Sequence, residues 1–533
     1  MTVALDLAAP PGWDVVVVPT FGGGLNFAGH PGSIRDDEWT GCNGWFAKDG
    51  YAEIRTAYEE VKATGWLPIS GAETARVIGI AQNPFSSVDA ALIGTAYLSG
   101  SALPWRLWKL RDDGTLTEIT FGTDTQGGAT TPTGNRAGYM PAAFLDGYLC
   151  LSGGHPSDGY SMIRWNDGAT FQTIKPVGFS RFVAQHLASF GGHLIAADGS
   201  NGTTSDRGRA VFVSDADSTD VWAPAVGNSA DDFALDDAIA SLTAVGPLTN
   251  NGFALYTRGV TYVLQPTGGI PPFTRQTLQA RGVLERQNVG LTPYGPFIRS
   301  SDDFYIGATP VGRKIWRYYR KLKEMDALAV PEFKYHERDG AVLVMARSET
   351  ATADLLLFDP VNGAWSRTLL PSVGSGWIRH GFLYDNNSGN ASYDLGRHWI
   401  AAIDGTIYAE AFTATTPHSG AFVNTKFFHY EDPTRDNYYG RIKVDWEPLT
   451  NATTDAIEIL AEVRNDLSQA VLGSVGGDIP GTFTSLGTLT GGASELAMRK
   501  RGKYIRFRFQ HSSGRARIRG FALLRRRGSS RRT

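Results

Sequence analysis

Trp108–Ile119 reads WKLRDDGTLTEI, Ile163–Ile174 reads IRWNDGATFQTI and Leu356–Leu369 reads LLFDPVNGAWSRTL. Each stretch alternates apolar and polar residues, breaks at Asp-Gly or Asn-Gly, and resumes the alternation. Both residues of such a turn tolerate positive φ, so this is the strongest short-range signal for a β-hairpin. A fourth stretch, WIAAIDGTIYAEAF (Trp399–Phe412), has the same form. Weaker versions lie between them: VFVSDADSTDVWAP (Val211–Pro224), YVLQPTGGIPPFTRQTL (Tyr262–Leu278) and IRSSDDFYIGA (Ile298–Ala308). Another apolar strand precedes most hairpins, as in GYLCLSG (147–153), GGHLIAAD (191–198), GFALYTR (252–258) and GAVLVMAR (340–347).

The turns recur every roughly 40 to 55 residues, the length of a four-stranded propeller blade. The pattern predicts an all-β chain: a β-propeller of six or seven blades over residues 75–414. From Thr425 the pattern changes. NTKFFHYEDPTRDNYYGRIKVDWEP, IEILAEVR and GKYIRFRFQHSSGRARIRGFALL are longer strands without the blade spacing, and residues 415–533 are expected to form a C-terminal β-sandwich with a basic tail. Residues 1–74 are expected to hold a propeller-closing strand and a small insertion. Two segments read as helix, Ala52–Thr64 and Gly312–Ala329.

Composition agrees with short strands and tight turns. The chain has 533 residues, 63 of them glycine and 13 tryptophan, and only 19% are charged. Two cysteines, Cys42 and Cys150, exclude a disulfide framework and a zinc ribbon. No stretch approaches ~20 continuous apolar residues, so no membrane-spanning helix is expected. The N-terminus, MTVALDLAAPPGW, has neither the basic start nor the apolar run of a signal peptide.

The net charge of −3 conceals a division. From Leu496 to Thr533 there are 14 Lys or Arg and no acid; the preceding residues carry 36 bases against 53 acids, a net of −17. In IRFRF, Arg506 and Arg508 occupy one face of a strand and Ile505, Phe507 and Phe509 the other. Arg515, Arg517 and Arg519 repeat the pattern in RARIR, and Ser512-Ser513-Gly514 is placed to turn one strand into the next. These five arginines are candidate interface residues. Like charges across a ladder repel, so the face calls for a cover. An acidic surface on this chain or on a neighbouring subunit is the expected one, with solvent and nucleic acid as alternatives.

FGGGLNF (Phe21–Phe27) follows the apolar run VVVVP. It is not a P-loop, which needs G-x-x-x-x-G-K-[ST]. It is not a dinucleotide fingerprint either, because Pro31 and further glycine follow where a helix should run. Gly22, Gly23, Gly24 and Asn26 therefore read as a structural bend with close backbone packing, expected to bring the first strand in to close the propeller. No cofactor, metal or catalytic residue is assigned. The ten histidines are dispersed, without an H-x-H or H-x-x-x-H pair. No G-x-S-x-G elbow is present. VSDADSTDVW is faintly like the Asp-box turn of sialidases but lacks its glycine, and DPVNGAW resembles a kelch-type turn. A glycan-binding or glycan-hydrolysing propeller is the alternative reading.

FGGGLNF is followed by IRDDEW (Ile34–Trp39), GCNGWF (Gly41–Phe46) and GYAEIR (Gly50–Arg55). This order resembles the opening of the β-propeller nozzle or hub (tail tubular) proteins of short-tailed bacteriophages. ARGVLERQNVGLTPYGPFIRSSDDFYIG (Ala280–Gly307) resembles their mid-propeller segment, and GKYIRFRF with GFALLRRR resembles their closing strands. The chain departs from that family in its arginine-rich end and a weak fifth repeat. The resemblance implies a virion structural protein without enzymatic activity, assembled in the host cytoplasm into the tail. Its partners would be copies of itself in a ring, usually six-fold, and adaptor, portal-side or other tail proteins. DNA would pass transiently through the centre.

Overall fold

The computed structural model describes residues 5, 7–28, 32–70, 73–86, 91–96, 106–111, 113–132, 140–152, 159–202, 208–235, 241–249, 252–284, 289–315, 333–336, 339–347, 353–369, 378–384, 397–402, 404–411, 418, 420–429, 435–468, 479, 481–491 and 493–527. Among these, every regular element is a strand.

The strands of residues 76–410, together with Tyr58–Lys62, build seven four-stranded antiparallel blades. Blade 1 runs from Arg76–Gln82 to Leu116–Asp124, and blade 2 from Ala142–Leu145 to Thr170–Thr173. Blade 3 ends on Asp231–Ala234, blade 4 on Phe273–Gln279 and blade 5 on Thr309–Pro310. Blade 6 runs from Phe333–His336 to Ala364–Leu369. Blade 7 takes Ile378–Tyr384, Arg397–Ala402 and Ile407–Glu410 from its own segment, and its fourth strand, Tyr58–Lys62, from the N-terminal region. The first strands of neighbouring blades line the inside of the ring, and that of blade 7 lies against that of blade 1. The outer strands of blades 1 and 2 also pair, in parallel, joining Thr120–Asp124 to Thr170–Thr173. The chain is thus a closed β-propeller, with small apolar clusters between blades, such as Phe253, Leu255 and Val211 between blades 3 and 4.

The hairpins read from the sequence fall at two positions within a blade. WKLRDDGTLTEI, IRWNDGATFQTI and LLFDPVNGAWSRTL are third and fourth strands. WIAAIDGTIYAEAF is the second and third, because the fourth strand of its blade arrives from residues 58–62.

The sandwich is larger than residues 415–533. One sheet orders Trp45–Lys48, Tyr51–Ile54, Ala516–Arg527, Asn437–Pro448 and Glu495–Gly502, with Asp14–Val18 also paired to Ala516–Arg527. The other orders Gly24–Leu25, Glu38–Asn43, Phe422–Thr425, Tyr504–Ser513, Ala456–Arg464 and Thr484–Thr490. Residues 14–54 therefore belong to the sandwich, and the N-terminal region is split between two domains. The first strand does not close the propeller. Asp14–Val18 runs antiparallel to Phe521–Arg525, and closure falls to Tyr58–Lys62. The helix expected over Ala52–Thr64 is instead parts of two strands, 51–54 and 58–62; their apolar residues face two different cores, which overrides local propensity. Residues 316–329 of the other expected helix lie outside the described residues.

The two domains are not separate bodies. Arg367 of blade 6's last strand pairs with Trp45 of the sandwich, so one sheet runs from the inner strand of blade 6 to the far edge of the sandwich. The apolar cores are continuous as well: Phe297, Phe333, Phe358 and Trp365 of blades 5 and 6 share one cluster with Phe21, Trp39, Phe507 and Phe521.

Candidate functional site

The short motifs of the N-terminal region meet at the joint between sandwich and propeller. Phe21 is fully buried between the two sheets, its ring 5.4 Å from both Phe509 and Phe521. Burial of such a side chain contributes ~2–3 kcal/mol. The glycines that follow thread a gap with no room for a side chain. A Cβ on Gly22 would lie 2.4 Å from the Gly50 carbonyl carbon, one on Gly23 2.8 Å from Asp37, and one on Gly24 2.6 Å from the Trp365 carbonyl oxygen. Gly24 also has φ +71°, which disfavours any other residue. Backbone hydrogen bonds hold both edges: Phe21 N–H donates to Gly50, Gly23 N–H to Asp37, and Phe27 N–H to Lys314.

Asn26 Nδ2 donates to Glu38 Oε2 at 2.8 Å, and Lys314 of blade 5's tail meets Glu38 at 3.1 Å. Burial alone would raise the Glu38 pKa, but the hydrogen bonds from Asn26 and the Arg35 N–H, with Lys314 beside it, hold it below the ordinary carboxylate range. Gly22, Gly23, Gly24 and Asn26 are thus brought together as a bend. Its partners are Asp37, Glu38, Gly50 and Trp365, and it joins the sandwich to the propeller.

A second cluster lies where the chain leaves the sandwich for blade 7. Arg55 Nη2 sits 3.3 Å from Glu410 Oε1 and 3.4 Å from Asp339 Oδ2. Thr56 Oγ1 donates to the same Glu410 oxygen at 2.8 Å. His336 faces Asp339 at 3.0 Å through Nδ1 and Glu410 at 3.7 Å through Nε2. Next to it, the Tyr58 hydroxyl lies 2.7 Å from His398 Nδ1. Burial, with Arg55 adding to it, pushes the His398 pKa down to about 3, so the ring is neutral and its tautomer sets which of the two donates. The side chains of Arg55, His336 and Glu410 expose only 4%, 1% and 1% of their surface. An enclosed set of this kind clamps the closing strand. None of these residues stood out in the sequence except Arg55, the last residue of GYAEIR. His336 and His398 are 62 positions apart and carry no spacing signal.

The five candidate arginines do not share a hairpin. Tyr504–Ser513 pairs with Ala456–Arg464 in one sheet, and Ala516–Arg527 pairs with Asn437–Pro448 in the other. The turn at residues 512–514 carries the chain across the sandwich. The cover they call for is on this chain. Arg506 is fully buried, 2.6 Å from Glu462 Oε2, with the Ile479 carbonyl accepting from its Nη2. Arg508 bonds Asn424 and stacks over Phe422 and Phe483 at 4.1 and 4.2 Å. Arg515 and Arg517 both bind Glu53, at 2.9 and 2.7 Å. Arg519 binds Glu447 at 2.6 Å. Glu53, Glu447 and Glu462 are the residues the sequence did not reveal; each lies on a strand next to its arginine in the sheet, which only the register discloses.

Cys42 and Cys150 are buried and form no disulfide, and the Cys42 thiol meets the backbone of Arg367. Burial raises the Cys150 pKa to about 12. Among the described residues no three His, Cys, Asp or Glu side chains gather as a metal site, and no helix is long and apolar enough to cross a membrane.

No family model matches the sequence, and no curated protein does. Among solved structures, one of YCF48 bound to D1 peptide is 12% identical with a TM-score of 0.37, spanning 67% of this chain and 97% of that one. Sqt1 of Saccharomyces cerevisiae is 9% identical with a TM-score of 0.34, spanning 65% of this chain and 99% of its own. The class of the protein, a propeller fused to a β-sandwich, rests on the strand order and pairing of this chain.

Proposed function

We propose that the chain is a virion structural protein, a subunit of a ring that forms the distal nozzle or hub of a short-tailed phage tail and through which DNA passes. The observation that supports this most is the fusion of the two domains. A sheet continuous from blade 6 to the sandwich edge, and a glycine seam with no slack, make one stiff plate of two domains. A conduit wall needs such a unit, because its subunits must keep their mutual angle under load to close a ring. The net charge of −17 over the residues before Leu496 suits a passage for DNA, since phosphates that bound the wall would slow it. On this reading the work of the chain is assembly, with no cofactor, and its neighbours are other copies and the remaining tail proteins.

The test is the mass of the purified protein by light scattering, with negative-stain images of the same sample. Closed rings with a central pore are the expected result. A chain that stays monomeric at all concentrations and binds or cleaves glycans overturns the reading.

A further inference from the structure

With Arg506, Arg508, Arg515, Arg517 and Arg519 partnered within the chain, a second set of bases remains at the outer end of the sandwich. Glu495–Gly502 is the edge strand of the continuous sheet, the strand farthest from the propeller. Arg501 on it, Tyr438 on the next strand and Arg526 on the one after stand directly across the ladders from one another. Both guanidinium groups stack on Tyr438, each 5.3 Å from its centroid, and Arg526 also covers Trp13 at 5.1 Å. The stacking fixes the charges in a row. Asp436 contacts Arg501 at 3.1 Å. Arg499, Arg501, Arg526 and Arg527 are exposed.

The complement lies elsewhere on the same chain. Residues 210–257 contain seven aspartates and no Lys, Arg or His. Among them, Asp231 and Asp232 begin the outermost strand of blade 3, and Asp217 is exposed on the loop before it. Burial, the larger cause, and Asp232 beside it raise the Asp231 pKa, while Arg275 of blade 4 lies against the same strand, donating to the Ala234 carbonyl, and Arg164 contacts Asp220 at 3.6 Å. The sandwich extends from blade 6, and blade 3 is three blades away in a ring of seven, on its far side. The two surfaces therefore cannot meet within one molecule.

We infer that the basic end of the sandwich docks on the acidic outer edge of blade 3 of a second copy of this chain, head to tail. The inference rests on the ring reading above and specifies its contact. Two different patches on opposite sides of a subunit generate a heterologous interface, which closes into a ring or grows as a filament. Charge sets its register and partner choice. A base placed on an edge strand only to prevent stray pairing needs no acidic counterpart.

A charge swap tests it. Wild-type protein is compared with Arg501→Glu/Arg526→Glu and with Asp231→Lys/Asp232→Lys by light scattering at low and physiological salt, with thermal unfolding to confirm that each variant folds. Each pair alone is expected to weaken self-association about 100-fold, because like charges then face each other. Mixing the two variants is expected to restore assembly, since each then meets its opposite. Wild-type assembly is expected to weaken as salt rises. Rings that form equally well from both variants overturn the inference and leave the ring reading intact. A wild type that never assembles overturns the ring reading and the inference with it. Random-sequence duplex DNA, read by fluorescence anisotropy, is the third arm: DNA binding lost in Arg501→Glu/Arg526→Glu while its rings persist assigns the patch to nucleic acid and overturns docking between copies.

Discussion

Gly24 concentrates two constraints in one residue, a positive φ and a Trp365 carbonyl 2.6 Å from where a Cβ would sit. Gly24→Ala is expected to cost ~2–4 kcal/mol, measured by chemical unfolding. Gly147, also at positive φ but with open space around it, is the control: Gly147→Ala should cost ~1 kcal/mol, from φ alone. Arg506 sets the other residue-scale expectation. Removing Glu462 leaves a fully buried guanidinium without its carboxylate, so Glu462→Ala should lose ~3–5 kcal/mol. Glu53→Ala, whose arginine partners are 17% and 31% exposed, should lose less, about 1 kcal/mol. Equal losses at the two sites would show that burial does not separate them.

Blade 7 depends on an element from another part of the chain. Tyr58–Lys62 supplies its fourth strand and carries Tyr58, whose hydroxyl meets the neutral ring of His398. The folded-state pKa of His398 is about 3, below the ordinary 6.5. The unfolded chain therefore binds the extra proton first as pH falls. This contribution to stability is complete above pH 6.5 and is lost progressively from there down towards pH 3. The melting temperature should fall across that window, and His398→Phe should flatten the fall while removing the Tyr58 contact. An unchanged slope in the variant would assign acid lability to other groups. The closing strand shows also why the seventh repeat looks out of phase in the sequence: its hairpin is complete, but the strand that follows it in space precedes it by more than 300 residues.

At the scale of the molecule, the N-terminal segment links both domains. Deleting residues 1–30 removes Asp14–Val18 and the glycine seam but leaves Tyr58–Lys62 in place. Because Phe21, Leu25 and Phe27 share one apolar cluster with blades 5 and 6, the expected outcome in calorimetry is a lower melting temperature for the whole molecule. An unchanged melting temperature would mean that the seam does not support the propeller. Ring formation should disappear in the same variant, because the edge row stacks on Trp13 and the sandwich carries it.

Much of the fold was legible in the sequence. Asp-Gly and Asn-Gly turns between alternating strands are local signals, and their spacing counts blades without knowledge of any contact. The glycine run was legible as a bend for the same reason: a phosphate loop has a spacing that it lacks. The destination of that bend was not legible. Which strand Asp14–Val18 pairs with, which residues close blade 7, and which glutamate meets each arginine are all contacts between residues up to several hundred positions apart. A β-strand carries its faces in its period of two but nothing about its neighbour. Strands, turns and the division of charge are local properties, written in neighbouring residues. That the five arginines find partners on this chain, with Arg506 fully buried and the others half-buried, while the row at the sandwich edge stays exposed, is settled by register and packing across the whole chain.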